Sequence, residues 1–435
     1  MYMQKQKTGK VSIMNKTGKI ILISLLSAVL GGSSGAVLWA VLKIMDLGME
    51  LLWTVIPERA GLEHSLVYML AVTLAGGLII GLWQRRHGLL PEEMPQVMAR
   101  VKSEGGYPYD RLHILIVSAL LPLIFGGVIG PEAGLTGVIA GLCCFVGDRL
   151  KYKGDELAAL AQTGICATLG VIFNAPLFGI VRNVDEDIDS KARSCRGKDR
   201  PRLVSRPVRI FIYCMGAAGG MLAFRSLSAL TGGGAMGLPR FGAEHDIGLI
   251  QWAWMPAIIV SAAAMGLYYL LTGRLMQTIG RKLSDHRVIS CMIAGVFIAV
   301  IGYFLPFTMF SGEHQMGELM GCWQDMTTAA LILTALAKVF LVNMCVELGW
   351  RGGSIFPVIF TGVCAGYAFA ALTGIDPTFA VAAMAAGMYA YIGRKAVMTV
   401  AILLLCFPVV YILPIAVSAL IASHIPLPGA LKEQR

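Results

Sequence analysis

Seven stretches of this chain hold no Asp, Glu, Lys or Arg: Ile20–Leu42, Ile114–Pro131, Leu157–Val181, Ile247–Gly273, Val288–Gly312, Gly352–Ile375 and Ala396–Ser423. Each is about long enough to cross a bilayer, whose hydrocarbon core takes roughly 20 apolar residues as a helix. A chain built this way folds as a polytopic, all-α membrane protein. The composition agrees: of 435 residues, 56% are hydrophobic and 14% charged, against about 25% charged in soluble domains. Soluble enzymes, nucleic-acid binders and disulfide-stapled secreted scaffolds are thereby set aside.

The formal charge of +10 comes from two places. Residues 1–19 hold Lys5, Lys7, Lys10, Lys16 and Lys19 with no acid. Residues 187–209 hold Lys191, Arg193, Arg196, Lys198, Arg200, Arg202, Arg206 and Arg209 against Asp187, Asp189 and Asp199. Both flank apolar runs, which marks a membrane surface rather than a nucleic-acid patch. By the positive-inside rule both are expected in the cytoplasm, with an even number of crossings between them. The basic-then-apolar N-terminus continues through Trp39 and Leu42 without a small-residue cleavage site, so it reads as a retained first helix. The cysteines are scattered, mostly in apolar runs, with no C-x-x-C pair, as expected for small residues in helix packing. No metal site and no cofactor are expected, and His87, His113, His314 and His424 are dispersed.

Glycine interrupts the apolar segments at Gly31–Gly32, Gly76–Gly77, Gly126–Gly127 and Gly352–Gly353. Several segments are too short for simple spans or contain Pro and Asn, which predicts half-crossing helices whose freed backbone groups are received by protein or a water-filled cavity. Thr136-Gly-Val-Ile-Ala-Gly141 recurs as Thr361-Gly-Val-Cys-Ala-Gly366, each copy following a Gly- and Pro-containing turn. Paired interruptions of this kind point to a transporter built from two repeats with its site between them. The expected organisation is a basic cytoplasmic N-terminus over 1–19, a first half over 20–230 that includes the basic loop 187–209, a second half over 245–425, and a short tail over 426–435.

The two turns carry the chemistry. Gly130-Pro131-Glu132-Ala133-Gly134 and Gly353-Ser354-Ile355-Phe356-Pro357 each place glycine or proline just ahead of a helix. Free backbone N–H groups at a helix N-terminus, aided by the helix dipole, suit an anion. Ser354 as an ordinary N-cap is the alternative. Glu132 stands deep in an apolar run, where a carboxylate is expensive and usually functional. It could fill the anion site itself, leave on protonation, and so link anion passage to pH. Glu186, at the end of the run 173–180 beside the basic loop, could pass protons toward it; a solvated acidic helix end with Asp185, Asp187 and Asp189 is the other reading. Lys338, alone in an apolar helix, either raises the local potential for anions or snorkels to the surface. Glu347 and Arg351, ahead of the second turn, read as an interfacial salt bridge, with a charge pair in the site of a different ion-coupled transporter as the alternative.

These segments resemble those of the CLC family of chloride channels and proton/chloride antiporters. Gly126–Gly134 resembles the family's segment with the gating glutamate, Gly353–Pro357 its G-x-F-x-P segment, and Phe173-Asn-Ala-Pro-Leu-Phe-Gly-Ile180 followed by Asp185 and Glu186 its F-N-A-P-L-x-G-I stretch. The resemblance covers about residues 20–425. It implies a homodimer in the cell membrane with one anion pathway per subunit and tilted, partial helices in an inverted two-fold repeat. It further implies transport of a small inorganic anion, chloride in the first place, exchanged for H+ or passed by a channel. Glu132 would be the gate, Glu186 the internal proton relay, and Gly130, Pro131, Ala133, Gly134, Gly353, Ser354, Ile355 and Phe356 the anion-binding surroundings. The family's chloride-contacting serine would fall in Pro91–Pro95, where Met94 stands instead, and Tyr411 is the candidate for its pore tyrosine. No C-terminal regulatory domain is expected before Arg435. Fluoride-exporting relatives also lack the serine, so fluoride or another anion stays open, as does a different inverted-repeat ion-coupled transporter. A membrane enzyme is disfavoured: no His-Glu-x-x-His site is present and no Ser/Lys pair stands in a recognisable setting.

Overall fold

Apolar runs become helices because a backbone in hydrocarbon must satisfy its own hydrogen bonds. The computed structural model describes residues 16–93, 96–97, 100, 107–149, 206–231, 239–242, 247–404 and 406–429. Helix α1 (Lys16–Glu50) passes through a π-helical turn (Leu51–Val55) into α2 (Ile56–Ala60). Helix α3 (Leu66–His87) returns; it is a span beyond the seven runs above, and Ser65 caps it by accepting the Tyr68 N–H at 3.3 Å. Next come α4 (Leu112–Ile124), α5 (Glu132–Arg149) and α6 (Arg206–Leu230). The C-terminal part holds α7 (Leu249–Lys282), α8 (Arg287–Phe304), α9 (Glu313–Cys322), α10 (Thr328–Glu347), α11 (Ile355–Thr373), α12 (Pro377–Gly393), α13 (Ala396–Leu403) and α14 (Ile412–His424). The described residues contain no strand, only an isolated antiparallel bridge between Gly130 and Gly353.

Among the described residues, six helical stretches are long and apolar enough to span a bilayer: Ser24–Ala60, Leu66–His87, Leu249–Lys282, Ser284–Phe304, Thr328–Glu347 and Ile355–Thr373. Others fall short. The 13 residues of α4 rise only about 20 Å, against a core of ~30 Å. Such helices must be lodged in protein, and α12 shows how: residues Phe379 to Ala386 are all 2% exposed or less. A helix that is apolar on every side belongs inside.

Small residues let the helices touch backbone to backbone. A Cβ at Gly31 or Gly35 of α1 would lie 1.9 or 2.2 Å from the carbonyl oxygen of Gly216 or Gly220 on α6. Similarly, Gly362 and Gly366 of α11 sit against the backbone of Ala385 and Val381 on α12. That contact packs α11 into the centre and leaves its N-terminal end facing the N-terminus of α5.

Lys338 is fully buried, the eleventh residue of α10, too far from either end to snorkel. Its Nζ donates to the carbonyls of Met309 and Phe310 at 2.9 Å and of Phe307 at 3.4 Å, and lies 4.8 Å from the Phe360 ring centre. The ammonium therefore pins the turn between α8 and α9, and the snorkelling alternative is overturned. A buried charge is tolerable when its donors are all used.

Candidate functional site: a carboxylate between two helix N-termini

The first turn follows the 13-residue α4 and the second follows α10, and each enters a further helix. In the first, the Gly127 N–H donates to the Pro122 carbonyl at 2.8 Å, and Gly126 takes φ +89°, a conformation open to glycine. Val128 and Ile129 are then fully buried. In the second, Gly349 takes φ +105°. Three side chains, from α3, α8 and the 348–353 turn itself, fasten it: Gln84 Nε2 donates to the Gly349 carbonyl, Ser290 Oγ to the Leu348 carbonyl at 3.3 Å, and Trp350 Nε1 to the Cys291 carbonyl at 2.8 Å.

The turns then meet. Gly130 N–H donates to the Gly353 carbonyl at 2.7 Å, and Gly353 N–H to the Gly130 carbonyl at 2.8 Å. One residue pair thus joins segments 223 positions apart. Immediately beyond it two helices begin, α5 at Glu132 and α11 at Ile355. Pro131 serves as the N-cap of α5, its carbonyl accepting the Leu135 N–H at 3.0 Å. The repeat residues behave alike: Thr136 Oγ1 donates to the Glu132 carbonyl at 2.5 Å and Thr361 Oγ1 to the Pro357 carbonyl at 2.9 Å.

Glu132 belongs to α5 but satisfies α11. Its Oε1 accepts the Ile355 N–H at 2.8 Å, and the Phe356 N–H is also within hydrogen-bonding reach of the carboxylate. Ser354 holds the N-cap position of α11 without a side-chain cap bond, so the glutamate does what a capping serine would have done. The side chain is 1% exposed, and Oε2 accepts no hydrogen bond of good geometry. Its seat exists because two residues lack a Cβ. One at Gly130 would stand 1.9 Å from Oε2, and one at Gly353 would stand 2.0 Å from Cδ and 2.1 Å from Oε1.

The structure thus brings Gly130, Pro131, Glu132, Gly353, Ser354, Ile355 and Phe356 together. Ala133 and Gly134 follow in α5, where Gly134 packs on Ala119 of α4. Tyr411 is elsewhere. It is buried, and its hydroxyl reaches Asp376 Oδ1 at 3.5 Å, beyond the far end of the 19-residue α11, about 28 Å from the seat at 1.5 Å per residue. Met94 and Glu186 lie outside the described residues, as do residues 1–15 and 150–205. Among the described residues no group of three His, Cys, Asp or Glu is placed to hold a metal ion.

Sequence reading left out Gln84, Tyr269 and Asn343. Gln84 and Asn343 were findable as lone amides in apolar helices. Asn343 Nδ2 donates to Thr272 Oγ1 at 2.8 Å and to the Tyr269 carbonyl at 3.0 Å. Gln84→Ala leaves the buried Gly349 carbonyl without that donor, and is expected to destabilise by about 1–3 kcal/mol; a lower midpoint of thermal unfolding in detergent is the check.

Comparison with known proteins places this geometry. Residues 71–426 match the family model of the voltage-gated chloride channels. The chain belongs to this CLC family. It is 26% identical over 357 residues to "Putative ion-transport protein YfeO" of Escherichia coli strain SMS-3-5, covering 80% of this chain and 78% of the relative; the Shigella flexneri protein of that name is 27% identical over the same length. Among solved structures, a slow cyanobacterial Cl-/H+ antiporter superposes with a TM-score of 0.76 at 17% identity, covering 92% of this chain and 93% of the other. A CLC-type fluoride/proton antiporter superposes at 0.69 and 15%, covering 95% and 97%. The protein is therefore a multi-pass membrane protein of CLC fold, in a family of ion transporters and channels rather than enzymes.

Proposed function

We propose that this protein moves a small inorganic anion across the membrane in exchange for protons, with Glu132 as the gate. The observation that carries the reading is the carboxylate lodged at the N-terminus of α11, in a seat open only because Gly130 and Gly353 have no side chain. A carboxylate that accepts backbone N–H bonds stands in for an anion at the same donors. Protonation removes its charge and with it the charge-assisted bond. The seat then passes to an anion, and proton and anion become linked.

The solved structures of like fold include both a Cl-/H+ and a fluoride/proton antiporter, and both anions suit a seat built from N–H groups. Chloride is the first reading and fluoride the second. A homodimer in the cell membrane with a cytoplasmic N-terminus completes the proposal.

The test is purified protein in liposomes loaded with chloride or fluoride, with efflux and internal pH followed together. Efflux of one halide with opposite proton movement is expected. Efflux without proton movement would make the protein a channel, and flux of neither halide from folded protein would move the substrate outside the halides.

A further inference from the structure

Two departures from regular backbone meet on the outer side of the Glu132 seat. The basic ends of α3, α7 and α8, at Arg85, Arg86, Arg281, Lys282 and Arg287, mark the cytoplasmic face by the positive-inside rule. The segment 305–312 follows the opposite end of the 18-residue α8, about 27 Å away at 1.5 Å per residue, and so lies toward the outside. There Phe310 takes φ +56°, a left-handed conformation that a bulky side chain rarely adopts. The second departure is the π-helical turn Leu51–Val55 at the end of α1; such turns recur at functional sites.

The two are in contact. Trp53, at the centre of the π turn, meets the Phe310 ring edge to face, with 5.4 Å between ring centres and 86° between planes, an arrangement that aromatic pairs favour. Trp53 is also tied to the gate turn: its Nε1 donates to the Ile124 carbonyl at 3.0 Å, and a Cβ on Gly126 would stand 2.7 Å from its ring. Lys338 Nζ meanwhile holds the carbonyls of Met309 and Phe310, each at 2.9 Å. Phe310 further lines a cavity of about 10 Å³, room for about one water. Buried Gly127 and Pro131 line the same cavity, together with half-buried Ser311 and exposed His314. Pro131 immediately precedes Glu132, so the cavity backs onto the gate turn and reaches toward the outer surface at His314.

We infer that Phe310 is an outer seal on the anion pathway, in series with Glu132, and that the anion leaves through the cavity it lines. The inference rests on Glu132 being the gate. A space that holds one water admits an ion of that size, such as fluoride, as it stands. Chloride and iodide are larger and pass only when a wall yields. Gly127 and Pro131 belong to the bridged turn and Met45 and Met49 to a long helix. Phe310 stands outside any helix, in a conformation its backbone disfavours, and its ring leans on Trp53 rather than on the carbonyls that Lys338 holds. Lys338 is a positioning residue: it keeps the loop in place while the ring moves. Because Trp53 packs on Gly126 as well, a shift of the gate turn when Glu132 leaves its seat reaches the Phe310 ring directly.

The test uses Phe310→Gly and Phe310→Leu in liposomes, alone and combined with Glu132→Gln, with efflux of fluoride, chloride and iodide recorded separately. Glycine accepts φ +56° without strain, so the first variant removes the ring without burdening the backbone; leucine is the milder change and keeps an apolar side chain. Both are expected to raise the ratio of iodide to fluoride efflux at least fivefold, with chloride in between. The same rise is expected on the Glu132→Gln background, because barriers in series are removed one at a time. A purely structural role would change all three halides alike. A smaller rise in that ratio in both variants overturns the seal, and so does loss of the folded protein in both, which would make the ring a core residue. If Glu132→Gln alone still loses its pH dependence, the gate stands without the seal; if it keeps the parental pH profile, the gate reading falls as well. A folded parent that passes none of the three halides overturns both.

Discussion

Glu132→Gln is expected to abolish the pH dependence of anion flux while leaving the fold intact. In the parent, the carboxylate is held by the Ile355 N–H across the bridge. A hydrogen bond to a charged group contributes about 1.5–3 kcal/mol where a neutral one contributes about 1. As pH falls and the carboxylate is neutralised, that surplus is lost and the seat empties, so flux rises in acid and falls as pH increases. A surplus of ~1.4 kcal/mol corresponds to about a tenfold change in occupancy. Parental flux should therefore differ about tenfold between acidic and alkaline media. Glutamine fills the same volume but has no charge to gain or lose, so its flux should stay near the parent's acid level throughout. Halide efflux from liposomes across a pH series reads this directly, and a parental pH profile in the variant removes Glu132 from the mechanism.

Gly353→Ala is expected to do the opposite, although it disturbs the same carboxylate. The residue has no left-handed backbone conformation, so alanine brings no backbone strain and keeps both bridge hydrogen bonds. Its methyl carbon would stand 2.0 Å from Cδ of Glu132 and 2.1 Å from Oε1, far inside non-bonded contact distance. The carboxylate must leave, and the methyl then occupies the space that an anion would take. Flux should fall at least tenfold at every pH and should not recover when Glu132→Ala is added, because the obstruction is then the methyl itself. Parental flux with parental pH dependence would show that the two glycines do not form the seat. Flux resembling Glu132→Gln would show that the anion passes somewhere else.

The helices and the gate candidate were legible because each is a local property. A run of about 20 uncharged residues is a span wherever it occurs, and a lone acid in such a run is conspicuous, as Glu132 was. What joins Gly130 to Gly353 is not local. Sequence offered two similar turns, but nothing in it states that they pair by two backbone hydrogen bonds, or that the glutamate of one caps the helix of the other in place of Ser354. Tyr411 shows the converse failure. Motif order along a chain does not say which end of a helix a residue reaches, and Tyr411 lies with Asp376 at the end of α11 away from the seat. Lys338 stands between the two cases: a lone charge in an apolar helix was conspicuous, but snorkelling stayed open until its carbonyl partners were seen in three dimensions.

That lysine also bears on how the chain is made. A Lys at the centre of a membrane helix costs about 2.5–3.5 kcal/mol on insertion, which opposes the entry of α10 by itself. Its three carbonyl acceptors, at Phe307, Met309 and Phe310, are synthesised before it. When α10 leaves the ribosome the acceptors already wait at the end of α8, so α8 to α10 can partition into lipid as one unit with the charge already coordinated. Phe360 arrives later and closes over the ammonium.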